Sequence, residues 1–64
     1  MTYDEAMALV RQGKKVMRPH WHWCWVQLDR MHPVFVHEDR VDRPLAVSLA
    51  LTRDDKTATD WIET

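Results

Sequence analysis

The spacing of apolar residues along the chain changes its period twice, and each change marks an element. Tyr3, Met7 and Val10 recur at i, i+4 and i+7, flanked by Ala6 and Leu9, which makes one stripe of a helix. Thr2 and Glu5 stand where a capping box requires them, with Asp4 and Glu5 at the positive end of the helix dipole. Gly13, the only glycine, follows Arg11 and Gln12 where a left-handed C-cap is wanted. The spacing therefore predicts a helix over 3–12.

Beyond it the period shortens to two. Lys15 to Arg18 is a short strand candidate closed by Pro19, which pushes Arg18 toward extended geometry. Trp21 to Leu28 alternates and is rich in aromatic residues, so it predicts a strand. In that strand Trp21, Trp23, Trp25 and Gln27 would share one face, with His20, His22, Cys24, Val26 and Leu28 on the other. Asp29 to Pro33 reads as a hairpin connection into a strand over Val34 to His37. The charged run Glu38 to Arg43 reads as a solvated loop.

In "PLAVSLAL", residues 44–51, large side chains alternate with small ones. Strand is preferred there, although alanine and leucine also favour helix. Thr52, with acids in the turn after it, caps a second helix of one or two turns, and Asp60-Trp61-Ile62 forms a last strand. This order predicts a single α+β domain over residues 1–64. It has a small antiparallel sheet of four to five strands, the N-terminal helix packed on one face, and a short helix before the last strand.

Size and charge narrow the function classes. A chain of 64 residues buries only about 60% of its unfolded surface. Cys24 is the single cysteine and offers no disulfide, so a homo-oligomer is expected to supply further burial. A formal charge of −1 and a pI near 6.4 give no bulk attraction to duplex nucleic acid or an anionic membrane. With no membrane-length apolar run, no signal-peptide pattern and one thiol, a soluble cytoplasmic protein is expected.

Residues 20–25, "HWHWCW", are the chemically unusual stretch. His20, His22 and Cys24 could project together toward a metal, with His32 or His37 completing the set. The spacing is far weaker than paired CxxC motifs, so no metal and no cofactor are expected. A thiol nucleophile at Cys24 beside His22 needs an oxyanion hole and a shaped pocket, for which so small a domain leaves little room; a non-enzymatic protein is expected. The tryptophan face has two readings: a core beneath the helix stripe, or a stacking surface for a planar ligand. Three indoles exceed what one ten-residue helix covers, so part of that face should meet another chain or a ligand.

Both ends of the chain resemble one family. "MTYDEAMALVRQGKKVMRPHW" is similar to an opening of Met-Thr-Phe, an Ala-Leu helix, a Lys-X-Gly turn, an arginine and Gly-Trp-Asn. "LTRDDKTATDWIET" is similar to an ending with a Ser or Thr N-cap, an Asp three residues later, an alanine, then Asp-Trp and a short strand. The pattern is that of the second type of Thoeris anti-defence nucleotide-sponge family, small proteins of phages and prophages. It covers roughly the first 21 and last 13 residues. The resemblance implies a small oligomeric α+β protein that sequesters cyclic ADP-ribose-type immune signals in the host bacterial cytoplasm.

The resemblance and the tryptophan strip together lead to an expected ligand site of Arg18, Trp21, His22 and Trp23. Trp21 would stack on a base, and His22, at the family's asparagine position, would hydrogen-bond ribose or phosphate. Arg18 either pairs with a carboxylate such as Asp60 or grips a phosphate. His20 in place of the usual glycine, and the strip that begins at Trp23, depart from the family pattern. The alternative to capture of a cyclic nucleotide is docking of the tryptophan-rich face on a host immune protein.

Overall fold

The signals at both ends of the first helix act as their spacing predicts. In the computed structural model, which describes residues Met1–Thr64, helix α1 spans Tyr3–Arg11. The Thr2 hydroxyl accepts the Glu5 N–H at 3.2 Å, and the Glu5 carboxylate accepts the Thr2 N–H at 2.8 Å. These bonds hold the Glu5 carboxyl below its usual pKa. At the other end Gly13 takes a φ of 91°, which lets the Gly13 and Lys14 N–H groups reach the carbonyls of Val10 (2.9 Å) and Leu9 (3.1 Å). That pair of bonds is a Schellman cap.

Five strands form one antiparallel sheet: β1 (Val16–Met17), β2 (Cys24–Asp29), β3 (His32–His37), β4 (Leu45–Ala46) and β5 (Ile62–Glu63). Their spatial order is β4-β3-β2-β1-β5. Helices α2 (Val47–Ala50) and α3 (Arg53–Thr57) fill the link from β4 to β5. The fold is thus α+β, with α1 on one sheet face and short helices before the last strand. No helix is long and apolar enough to cross a membrane.

The core lies between α1 and the sheet. Ala6, Met7 and Val10 meet Val16, Val26, Leu51 and Trp61, all buried. Trp61 is the largest of these, at 1% exposure. Its indole N–H donates to the Asp55 carbonyl at 2.9 Å, so the bulkiest core residue leaves no unpaired polar atom. On the opposite sheet face, Trp25 and Gln27 stand across from Val36 and Val34 and shelter them. The Trp25 N–H donates to Gln27 Oε1 at 2.7 Å, and Lys15 Nζ lies 5.4 Å from the ring centroid.

Two expectations need correction. The strand proposed over Trp21–Leu28 begins only at Cys24. Pro19 occupies the second position of a β-turn closed by Trp21 N–H to Arg18 O at 3.0 Å, and a bend at His22–Trp23 follows. Period two is therefore broken where the indoles start, and they do not share a face. The strand proposed over 44–51 stops after Leu45–Ala46 and gives way to α2, where Leu51 N–H bonds the Val47 carbonyl at 3.0 Å. Helix propensity outweighed the alternation: Val47 and Leu51 turn inward while Leu49 is left exposed.

One side chain ties the C-terminal third to the sheet. Arg18, 8% exposed, donates from Nε to Asp60 Oδ1 at 2.7 Å and from Nη1 to Asp55 Oδ1 at 2.8 Å. Asp54 lies 3.5 Å from the same Nη1. Asp55 also completes the α3 capping box that Thr52 begins: its Oδ2 accepts the Thr52 N–H at 3.1 Å. The guanidinium beside Asp60 holds that carboxyl below its ordinary pKa, chiefly through the side-chain hydrogen bond. A lowered folded pKa adds stability above the unfolded value, about 3.9 for aspartate, that is lost as pH falls through the folded value.

Two predictions follow from these contacts. Asp60→Asn should be less stable than wild type at pH 7, with the gap narrowing below about pH 4, read as urea midpoints at the two pH values. Arg18→Met should cost roughly 2–3 kcal/mol at pH 7, because it leaves three acids together without their cation. The hairpin offers a gain instead. Arg30 (φ 52°) and Met31 (φ 82°) form its two-residue turn, and neither is a glycine. Met31→Gly should relieve left-handed strain without losing packing, since Met31 is exposed. We expect about 0.5–1 kcal/mol of added stability, visible as a rise of a few degrees in Tm.

Candidate functional site

The four residues brought forward from the sequence do not converge on one pocket. Arg18 takes the carboxylate alternative: its Nε and Nη2 face Asp60 and its Nη1 donates to Asp55. Trp21 is half-buried in a run of perpendicular rings. Its centroid lies 5.2 Å from Trp61 at an interplanar angle of 85°, and 5.3 Å from Phe35 at 89°. Tyr3 extends the run from Trp61 at 5.8 Å. Each edge-to-face pair contributes about 0.5–1.5 kcal/mol beyond area burial.

His22 and Trp23 are the two that remain exposed, Trp23 at 63%. The Trp23 carbonyl accepts the Glu38 N–H at 2.7 Å, which fastens this bend to the segment that follows β3. The three indoles of the strip therefore occupy three environments. Trp21 joins the core aromatics, Trp23 faces solvent, and Trp25 covers the far side of the sheet.

No group of three or more His, Cys, Asp or Glu side chains is arranged to hold a metal ion. His20 packs edge-on against Trp21, while Cys24 sits across from His37 in the β2–β3 register. Burial pushes the Cys24 thiol above its ordinary pKa, which favours the protonated, less nucleophilic form.

A groove opens instead toward the β4 edge. Its volume is about 920 Å³, and it is lined by Phe35, His37 and Leu45 together with Asp39, Arg40, Asp42 and Arg43. The register explains the floor. Phe35 lies between Val26 of β2 and Leu45 of β4, so both Phe35 and Leu45 project on the face that carries the core valine. Trp21 meets Phe35 edge-on and fixes the orientation of its ring.

The wall is the charged run Glu38–Arg43, exposed throughout and folded into two tight turns. Glu38–Arg40 forms a 3-10 turn capped by His37, whose Nδ1 accepts the Asp39 N–H at 3.1 Å. Arg43 N–H then donates to the Arg40 carbonyl at 3.0 Å and closes a second turn. These turns bring Arg40 and Arg43 to one groove. Two arginines three residues apart were the available signal, hidden by the charge of their neighbours.

Compared with protein-family models, with curated proteins and with solved structures, the chain matches none.

Proposed function

We propose that this is a non-enzymatic phage or prophage binding protein that sequesters a nucleotide-derived immune signal, a cyclic ADP-ribose-type molecule or a related cyclic nucleotide. The groove carries this reading. It combines an apolar floor, Phe35 and Leu45, with both signs of charge along its wall. Phe35 and Leu45 suit a base, the arginines suit phosphate, and Asp39 and Asp42 accept hydrogen bonds from ribose hydroxyls or base amino groups.

Trp23 and His22 lie on the bend tied to the groove wall, and we assign them to its margin. Arg18 and Trp21 act one layer back. Arg18 holds the C-terminal segment in place, and Trp21 positions Phe35. A homo-oligomer would carry several such grooves.

Docking on a host protein is the second reading, favoured by the exposure of Trp23 (63%), Leu45 (53%) and Leu49 (81%). An exposed indole of this kind anchors a protein interface as readily as it meets a base.

A panel of cyclic ADP-ribose isomers and cyclic dinucleotides separates the two. Capture at 100 times the dissociation constant should add about 2.7 kcal/mol and raise Tm on the order of 10 °C. Trp23→Ala should reduce that rise while leaving the Tm of the free protein nearly unchanged. If no nucleotide moves Tm, protein docking becomes the better reading. Sedimentation at micromolar concentration should show a dimer or larger species, and a folded monomer throughout would remove the oligomer.

A further inference from the structure

We infer that His37 is a pH-sensitive latch on the groove wall. As the neutral imidazole it caps the Glu38–Arg40 turn; as the imidazolium it drops that cap and turns to the Asp39 carboxylate. The device needs no ligand, so its test is independent of nucleotide capture.

The direction of one hydrogen bond carries the inference. His37 ends β3 in extended geometry (φ −104°, ψ 140°), and its Nδ1 lies 3.1 Å from the Asp39 backbone nitrogen. That nitrogen can only donate, so Nδ1 presents its lone pair and the neutral ring carries its proton on Nε2. Protonation places a second N–H on Nδ1, where it faces another donor, and the cap is lost. An acceptor for the new N–H already stands close by, since Asp39 Oδ2 is 4.0 Å from Nδ1. The imidazole side chain is 40% exposed, so protons reach it from solvent without any opening of the fold.

The latch sits within the bonds that fasten the wall. Glu38 N–H donates to the Trp23 carbonyl and Arg43 N–H to the Arg40 carbonyl, and neither bond depends on a titrating group. The bond between them in the chain does. Its loss frees the start of the turn that carries Arg40, and pairing with His37 neutralises one of the two aspartates that line the groove. The charged and titratable groups around the ring are Cys24, opposite it in the β2–β3 register, its neighbour Glu38, and Asp39, Arg40, Asp42 and Arg43. Carboxylates and guanidinium groups ordinarily change charge outside the range of about pH 5 to 8 in which imidazole switches. Burial pushes the Cys24 thiol up and away from that range as well.

Amide and imidazole NMR of the full chain, from about pH 8 down to about pH 5, tests the latch. At the upper limit the His37 ring should be the Nε2–H tautomer. As the ring protonates, the Asp39 amide proton should move upfield through loss of its acceptor, and the Arg40 amide should shift with the same midpoint. His37→Asn keeps a side chain favoured at N-caps and gains no proton in this range, so its Asp39 amide should hold still. His22→Asn, on the bend whose Trp23 carbonyl holds Glu38, should leave the Asp39 titration as in wild type.

An Nδ1–H tautomer at the upper limit, or an Asp39 amide that stays put while the His37 ring titrates, would overturn the latch. So would an Asp39 titration that persists in His37→Asn or disappears in His22→Asn, since either assigns the proton elsewhere. If His37→Asn does not fold, the wild-type tautomer and the shared midpoint decide the matter by themselves.

Discussion

The architecture depends on one cation meeting three carboxylates. Residues 52–64 contribute little apolar surface beyond Trp61, and their acids would repel one another if gathered without a counter-charge. Arg18, held at the end of β1, supplies it. Asp55 is the point where the constraints meet. One carboxylate oxygen binds Arg18, the other caps α3 through Thr52, and its carbonyl holds the Trp61 indole. Removing two charges from water cancels much of the Coulombic gain, so such a cluster adds direction more than raw stability. Here the direction is definite: it aims Trp61 into the core and lays β5 against β1.

The same placement shapes the groove at a distance. Trp61 meets Trp21 edge-on, Trp21 meets Phe35 edge-on, and Phe35 is the aromatic floor. A continuous series of packed rings thus connects the Arg18 cluster to the β4 edge. Arg18 and Trp21 orient side chains in the layers next to them. The groove itself is built from a strand pair and two tight turns.

Much of this was legible in residue order. Thr2-Glu5, Gly13, Thr52-Asp55 and the β2–β3 alternation mark element ends through local hydrogen bonding, and local rules decide them. Two places were misleading because nonlocal geometry competes there. Alternating indoles look like a strand face, yet Pro19 starts a turn that carries Trp21 back to the core before the strand begins. Alternating leucines after Pro44 look like another strand, but only Leu45 and Ala46 pair with β3 before the chain coils. The groove was the least legible part. Its arginines come together through turns within a charged run, and its floor comes from strands paired across the sheet.

The contact between the two chain ends has a kinetic consequence. The Met1 amine donates to the carbonyls of Thr59 at 3.1 Å and Trp61 at 2.9 Å, across separations of 58 and 60 residues. Trp61 N–H returns a bond to the Met1 carbonyl at 3.1 Å, and its ring lies against Tyr3. The central hairpin can form early, because its two strands are joined by a two-residue turn. The hydrophobic core cannot close until nearly the whole chain has been gathered into one loop, whose entropy must be spent before Trp61 returns anything. In a transition state that contains the hairpin but not β5, the Arg18 cluster would still be open. Its formation would then be a late, locking step that governs how slowly the native state comes apart more than how quickly it forms.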